Sequence, residues 1–236
     1  MCGRFVGFRK LEELKQYFPI DAATCDTAEN YNVAPSQQVL AIVRLDGRNV
    51  LGPYYWGLVP FWAKDTAMGA RLINARVETV AEKPSFREAF KRRRCLVLAD
   101  GFYEWQGQQG KKQPLFITLP DKAPFAFAGL WDAWRDRERP EEPYHSCTII
   151  TREAVGVMKE IHHRMPVILS PAAYAHWLDP GNRDAKALTG LLEENARFDL
   201  VYCPVSRQVN SARQNQPTNI ACLPGSIGGE AVTGSE

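Results

Sequence analysis

Residues 95–105 read CLVLADGFYEW, and the fold turns on this stretch. Residues 95–99 form a short apolar run, the length and composition of a buried strand rather than a helix. Asp100-Gly101 breaks the run. Residues 102–105 resume as a second, aromatic strand, with Glu104 between Tyr103 and Trp105. Outward on the N-terminal side, residues 84–93 predict a helix, with Phe86, Ala89 and Phe90 on one face. On the other side, residues 107–112 predict a polar hairpin tip leading into a strand at 115–119. Residues 125–131 give a further apolar strand.

The rest of the chain extends the pattern. Residues 9–18 read as a short amphipathic helix and 19–30 as a loop. Residues 31–35 (YNVAP) are extended, because the residue before a proline avoids the helical region. Residues 39–45 and 49–51 flank an Asp46-Gly47 turn, and 54–58 are another aromatic strand candidate. Residues 145–151, 166–169 and 200–205 read as strands, and 135–143 as a charged surface loop. Ser170-Pro171 starts a helix to about residue 178, with serine as N-cap, and residues 185–194 form another. Strands at short spacing with hairpin-like links predict an α+β fold, mainly antiparallel, with a barrel-like core and peripheral helices. No linker or repeat divides it, so residues 2–222 are expected to form a single domain. The Gly-, Ser- and Glu-containing tail at 223–236 is expected to be disordered.

Composition narrows the function. The chain has 236 residues, 45% hydrophobic, with a net charge of +2, so any nucleic-acid contact is local rather than spread over a polycation. None of Cys2, Cys25, Cys95, Cys147, Cys203 and Cys222 forms the paired spacing of a zinc site, and no metal or cofactor is expected. No secretory signal or apolar stretch of membrane-spanning length is read. Reduced cysteines, a cytoplasmic location and no membrane partner are therefore expected. P-loop, GxSxG and HExxH motifs are absent.

Several residues could carry chemistry. Once Met1 is removed, Cys2 offers an amine and a thiol on adjacent carbons, a pair that condenses with an aldehyde to an imine and then a thiazolidine. Glu104 is either an outward-facing glutamate on an edge strand or a carboxyl among aromatics with a raised pKa, suited to proton transfer. In IHHRMP (161–166), an extended backbone would turn only one of His162 and His163 toward a given site, with Arg164 beside them. In LINARVET (72–79), Asn74, Arg76 and Glu78 fall on one side of a strand. Phe61 and Trp62, in the loop 59–70, either form a contact surface or fold back on the core. The basic run Lys91 to Arg94 suits either a helix C-terminus or phosphates.

Together MCGRF (1–5), YNVAP, LINARVET, ADGFYEW (99–105), IHHRMP and PVSRQVN (204–210) resemble the SOS-response-associated peptidase family, which crosslinks to abasic sites in single-stranded DNA. The resemblance implies that Cys2, freed of Met1, attacks the opened sugar aldehyde. It implies that Asn74 holds the cysteine or the sugar, that Glu104 moves protons during imine formation, and that His162 protonates or deprotonates the sugar oxygen. Arg4, Arg76 and Arg164 match phosphate-holding arginines, and Trp62 matches an aromatic set against bases. A monomer, nucleoid-associated when bound to abasic single-stranded DNA, follows, with lyase and autoproteolytic side activities. Two other readings stay open: a thiol peptidase using Cys2 and His162 on protein substrates, and a non-covalent single-stranded DNA reader.

Overall fold

The computed structural model describes residues 2–107 and 112–224. Most of the expected hairpin tip, residues 108–111, and the tail from 225 lie outside them. The stretch 95–105 is strand, break and strand, but the break is a corner and not a hairpin. Arg94–Ala99 pairs antiparallel with Phe125–Trp134 on one side and Gln38–Leu45 on the other. Gly101–Gln106 pairs with Phe5–Gly7 and Gln113–Thr118 in a different sheet. Asp100 holds the corner. Its carboxylate accepts from the Phe8 N–H (2.8 Å) and Arg9 Nε (2.7 Å), and its own N–H donates to the Val6 carbonyl (2.7 Å). Only glycine fits at 101, because a Cβ there would stand 2.4 Å from the Phe116 ring.

The larger sheet closes on itself, giving the α+β fold with a ring-like core expected from the strand pattern. The ring runs through Arg48–Trp56, Gln38–Leu45, Arg94–Ala99, Phe125–Trp134 and Tyr144–Glu153. It is sealed by a parallel pairing of Ser146 with Tyr55 and Cys147 with Trp56. Strand alternation sorts the side chains. Val39, Ala41, Val97, Phe127, Cys147 and Ile149 face the inside, together with Phe5 and Cys2. Ile42, Leu96, Leu98, Ala126 and Ile150 face outward beneath the helices, which supply Leu14, Phe90, Trp177 and Leu188. The helices are peripheral for that reason: each is short and amphipathic, and only the outer wall of the ring offers an apolar face.

Some elements differ from the sequence pattern. The expected strands 49–51 and 54–58 are one strand, Arg48–Trp56. Pro53 does not break it, because it falls between the stretches paired with Ala22–Ala23 and with Ser146–Cys147, where no further ladder partner needs its missing N–H. Ser170 occupies an N-cap position without a side-chain cap bond, whereas Asp184 caps Ala185–Glu194 by accepting from the Lys186 and Ala187 N–H groups. Half of the basic run is tied down, while Arg92 is exposed. Arg94 is buried and donates to the carbonyls of Trp177, Phe90, Lys91 and Asp179, and Arg93 pairs with Asp132 at 3.1 Å. The expectation of uniformly reduced cysteines is corrected: Cys203 and Cys222 form a disulfide. The Val205–Cys222 bridge brings the chain back beside strand Val201–Pro204. Among the described residues no helix is long and apolar enough to cross a membrane.

Candidate active site

Strand Phe5–Gly7 lies between Asn30–Val33 and Gly101–Gln106, and the chain before Phe5 continues along the same line. The Tyr103 N–H donates to the Arg4 carbonyl at 3.0 Å. This carries Cys2 onto the interior cluster, where it is fully buried. Its Sγ lies 3.9 Å from the Arg4 carbonyl, and its own carbonyl accepts from Asn74 Nδ2 at 2.9 Å. Asn74 is delivered by Asn74–Arg76, a short strand parallel to Ile149–Thr151. The buried Asn74 Oδ1 has no hydrogen-bond partner among the described residues, an acceptor held ready at the site.

Glu104 faces inward with Phe102, and only 3% of it is exposed. Burial raises its carboxyl above the ordinary range. Burial also pushes the Cys2 thiol far up, and the Glu104 charge adds to that push. A thiol held neutral in this way is a poor thiolate nucleophile, which weighs against a cysteine-peptidase reading. The loop bearing His162 is tied to the strand bearing Glu104: Gln106 Nε2 donates to the Glu160 carbonyl at 3.1 Å. Met158 and Ile161 of that loop join the cluster containing Cys2. Lys112 acts electrostatically on both Glu104 and His162.

His162 Nδ1 accepts the Arg164 N–H at 2.9 Å, so the neutral ring carries its proton on Nε2. Burial lowers its pKa, and the neighbouring His163 and Lys112 add to the effect. The two rings stack at 4.3 Å, with His162 half-buried and His163 exposed. Residues 161–163 follow a 3-10 turn and not a strand.

The other candidate residues lie in different settings. Arg76 is exposed, with no hydrogen bond from its side chain among the described residues. Arg164 is buried and forks onto Glu78 at 2.6 and 3.0 Å, with a further bond to the Thr151 carbonyl at 2.7 Å. Arg4 is turned to internal acceptors. Phe61 and Trp62 are exposed at 56% and 47%, so they do not fold back on the core. Asn32 was missed in the sequence, although it sits in the quoted motif YNVAP. It is 1% exposed and bonded on both its amide oxygen and nitrogen.

A ring-shaped β core takes in the amino-terminal segment, with Cys2 buried on its inner cluster and Asn74 bonded to the Cys2 carbonyl. The family described as SOS response associated peptidase (SRAP) matches residues 1–212, and the chain belongs to it. It is 43% identical over 220 residues to the abasic site processing protein YoqW of Bacillus subtilis, covering 92% of this chain and 97% of that one. It is 31% identical over 225 residues to the abasic site processing protein YedK of Escherichia coli, covering 90% and 96%. A crystal structure of a protein from Bacteroides thetaiotaomicron superposes with a TM-score of 0.78 at 26% identity, over 94% of this chain and all of that one.

Proposed function

We propose that this protein processes abasic sites in single-stranded DNA by forming a covalent thiazolidine through Cys2 after removal of Met1, with residues 2–222 as the working unit. The observation that carries the reading is the seating of Cys2: Asn74 Nδ2 donates to its carbonyl at 2.9 Å, and the Tyr103 N–H bond to the Arg4 carbonyl lays the terminal segment along the strand that bears Glu104. The freed amine attacks C1′ of the opened sugar, and loss of water gives an imine. The neutral thiol then adds to the imine carbon and its proton passes to the nitrogen, so the net change is one water lost. Glu104, with its raised pKa, donates the proton that expels water and takes one back from the iminium nitrogen, giving the neutral imine to which the thiol then adds. His162, neutral with its proton on Nε2, exchanges a proton with the sugar oxygen. Asn74 holds the Cys2 carbonyl and keeps Oδ1 for the amine or a sugar hydroxyl.

Arg76, two residues beyond Asn74 and exposed, is the phosphate ligand of this reading, and Trp62 offers a face to a base. Arg164 steadies His162 through its backbone N–H. The imine also acidifies the C2′ proton, so strand cleavage by β-elimination is the side reaction when sulfur closure fails. The test is the intact mass of Met1-free protein mixed with an abasic oligonucleotide. A species equal to protein plus DNA minus one water supports the proposal. No covalent species, with equal binding of intact and abasic strands, leaves a non-covalent reader instead; cleavage of a peptide in trans points to a peptidase.

A further inference from the structure

Phe61 and Trp62 are the two central residues of a tight turn, closed by the Ala63 N–H donating to the Pro60 carbonyl at 2.8 Å. Both rings stand exposed at its tip. The turn lies on the connection between strand Arg48–Trp56 and Asn74–Arg76, the strand that delivers Asn74. Two large rings side by side would gain by folding onto apolar surface. Strand Phe125–Trp134 holds them off it. Asp132 and Trp134 fall on one face of that strand, the face that packs Ala126, Ala128 and Leu130 against the helices. The Asp132 carboxylate accepts from the Phe61 N–H at 3.2 Å, and Trp134 Nε1 donates to the Ala63 carbonyl at 2.8 Å. The residues on both sides of Trp62 are thereby fixed. Asp132 is 4% exposed, and Arg93 pairs with it at 3.1 Å while its guanidinium lies 5.9 Å from the centre of the Phe61 ring. An open groove of about 630 Å³ separates the turn from residues 134–138. Along it Lys64, Arg135 and Arg137 are balanced by Asp65, Asp136 and Glu138, so the groove offers rings rather than net charge.

We infer that Asp132 and Trp134 are positioning residues, which hold the Phe61–Trp62 turn as a preformed platform for a base of the single strand. This rests on the single-stranded DNA reading proposed above. A turn set in advance spares the complex the cost of ordering it on binding. Stacking on an aromatic face asks for no particular base, which suits a lesion that can arise anywhere in a sequence. Arg93 supports the mount by pairing the Asp132 charge, which burial would otherwise leave alone.

The test uses Met1-free full-length protein and the variants Trp62→Ala, Asp132→Ala and Trp134→Phe, with each of the last two also made in the Trp62→Ala background. Every variant is checked for a cooperative melt. Non-covalent affinity is measured on a single strand carrying a tetrahydrofuran analogue that lacks the aldehyde, with 2-aminopurine beside it to report stacking by its fluorescence. Trp62→Ala is expected to weaken binding about ten-fold. Asp132→Ala and Trp134→Phe are each expected to weaken it about five-fold and to reduce the stacking signal, through lost preorganisation. In the Trp62→Ala background the same two changes should shift affinity by no more than about two-fold, since they act through the ring. The crosslinking rate at saturating abasic oligonucleotide should stay within about two-fold of wild type, because no reacting group is touched. Undiminished effects in the absence of Trp62 overturn the inference, as does unchanged affinity in Trp62→Ala or in both positioning variants. Should Asp132→Ala fail to fold, Trp134→Phe, which removes a single N–H donor, decides. A wild type that binds the strand but forms no adduct strikes the proposed covalent chemistry, while the affinities still decide the platform.

Discussion

Glu104 is buried, and that burial outweighs the Trp105 N–H and Lys112, which favour its ionised form. Its pKa is raised on folding, so it favours the folded state below the ordinary glutamate range of about 4.3, and that advantage is lost as pH rises through the folded value. Glu104→Gln is therefore expected to raise the melting temperature at pH 7–8, with the gain fading as the pH is lowered toward 4. The same variant should crosslink more slowly. A melting temperature lower than wild type at pH 8 would show that the carboxylate is structural. Cys2→Ala should lose the heat-stable adduct on a denaturing gel and keep some strand cleavage, since the amine survives and the sulfur does not. His162→Ala should slow the reaction while affinity for the aldehyde-free analogue stays within about two-fold of wild type, as expected for a group that moves protons rather than holds the strand. These residues stood out in the sequence by type. Their setting did not: alternation puts Glu104 with Phe102, but nothing local says that this face is the inner one.

At the scale of the element, the corner at residues 100–101 decides the architecture, because it passes the chain from the ring to the second sheet. Gly101→Ala drives a methyl into the Phe116 ring and toward the Ile117 carbonyl, 2.9 Å away. The expected loss is about 1–3 kcal/mol, read from the denaturant midpoint at unchanged slope. A loss under about 0.5 kcal/mol would mean that the second sheet yields easily at this edge. The two strands were legible from CLVLA and FYEW, since apolar and aromatic runs of that length have few other uses. The corner was not legible, because an Asp-Gly break looks the same whether the next strand folds back or departs. Arg164 illustrates the same blindness: its acceptor Glu78 lies 86 positions away, so it reads as a phosphate ligand, whereas Arg94 bonds the Phe90 and Lys91 carbonyls at the helix end that its position suggests.

Across the whole molecule, the segment after Val201–Pro204 is closed by the Cys203–Cys222 disulfide, a separation of 19 residues. A cross-link over a loop of that size stabilises by about 3 kcal/mol in the chain-entropy view. Cys203→Ser combined with Cys222→Ser is expected to lower the stability by about that amount, and a reducing agent should do the same to the native protein but nothing to the double variant. Equal denaturation curves with and without reductant would show that the bond adds nothing. Six dispersed cysteines gave no sign of this pair, because the antiparallel bridge that brings Cys222 back to Val205 depends on the fold and not on local spacing.

The grip on Arg4 also sets an order of events during synthesis. Its partners Val209 and Asn210 lie at the far end of the chain, 205 and 206 positions away. The Arg4 side chain cannot find these partners until residue 210 has left the ribosome. At about 5–20 residues per second, that leaves the terminus loose for roughly 10–40 s. Any enzyme that trims Met1 has that interval in which to reach it, before the finished barrel draws Cys2 inside.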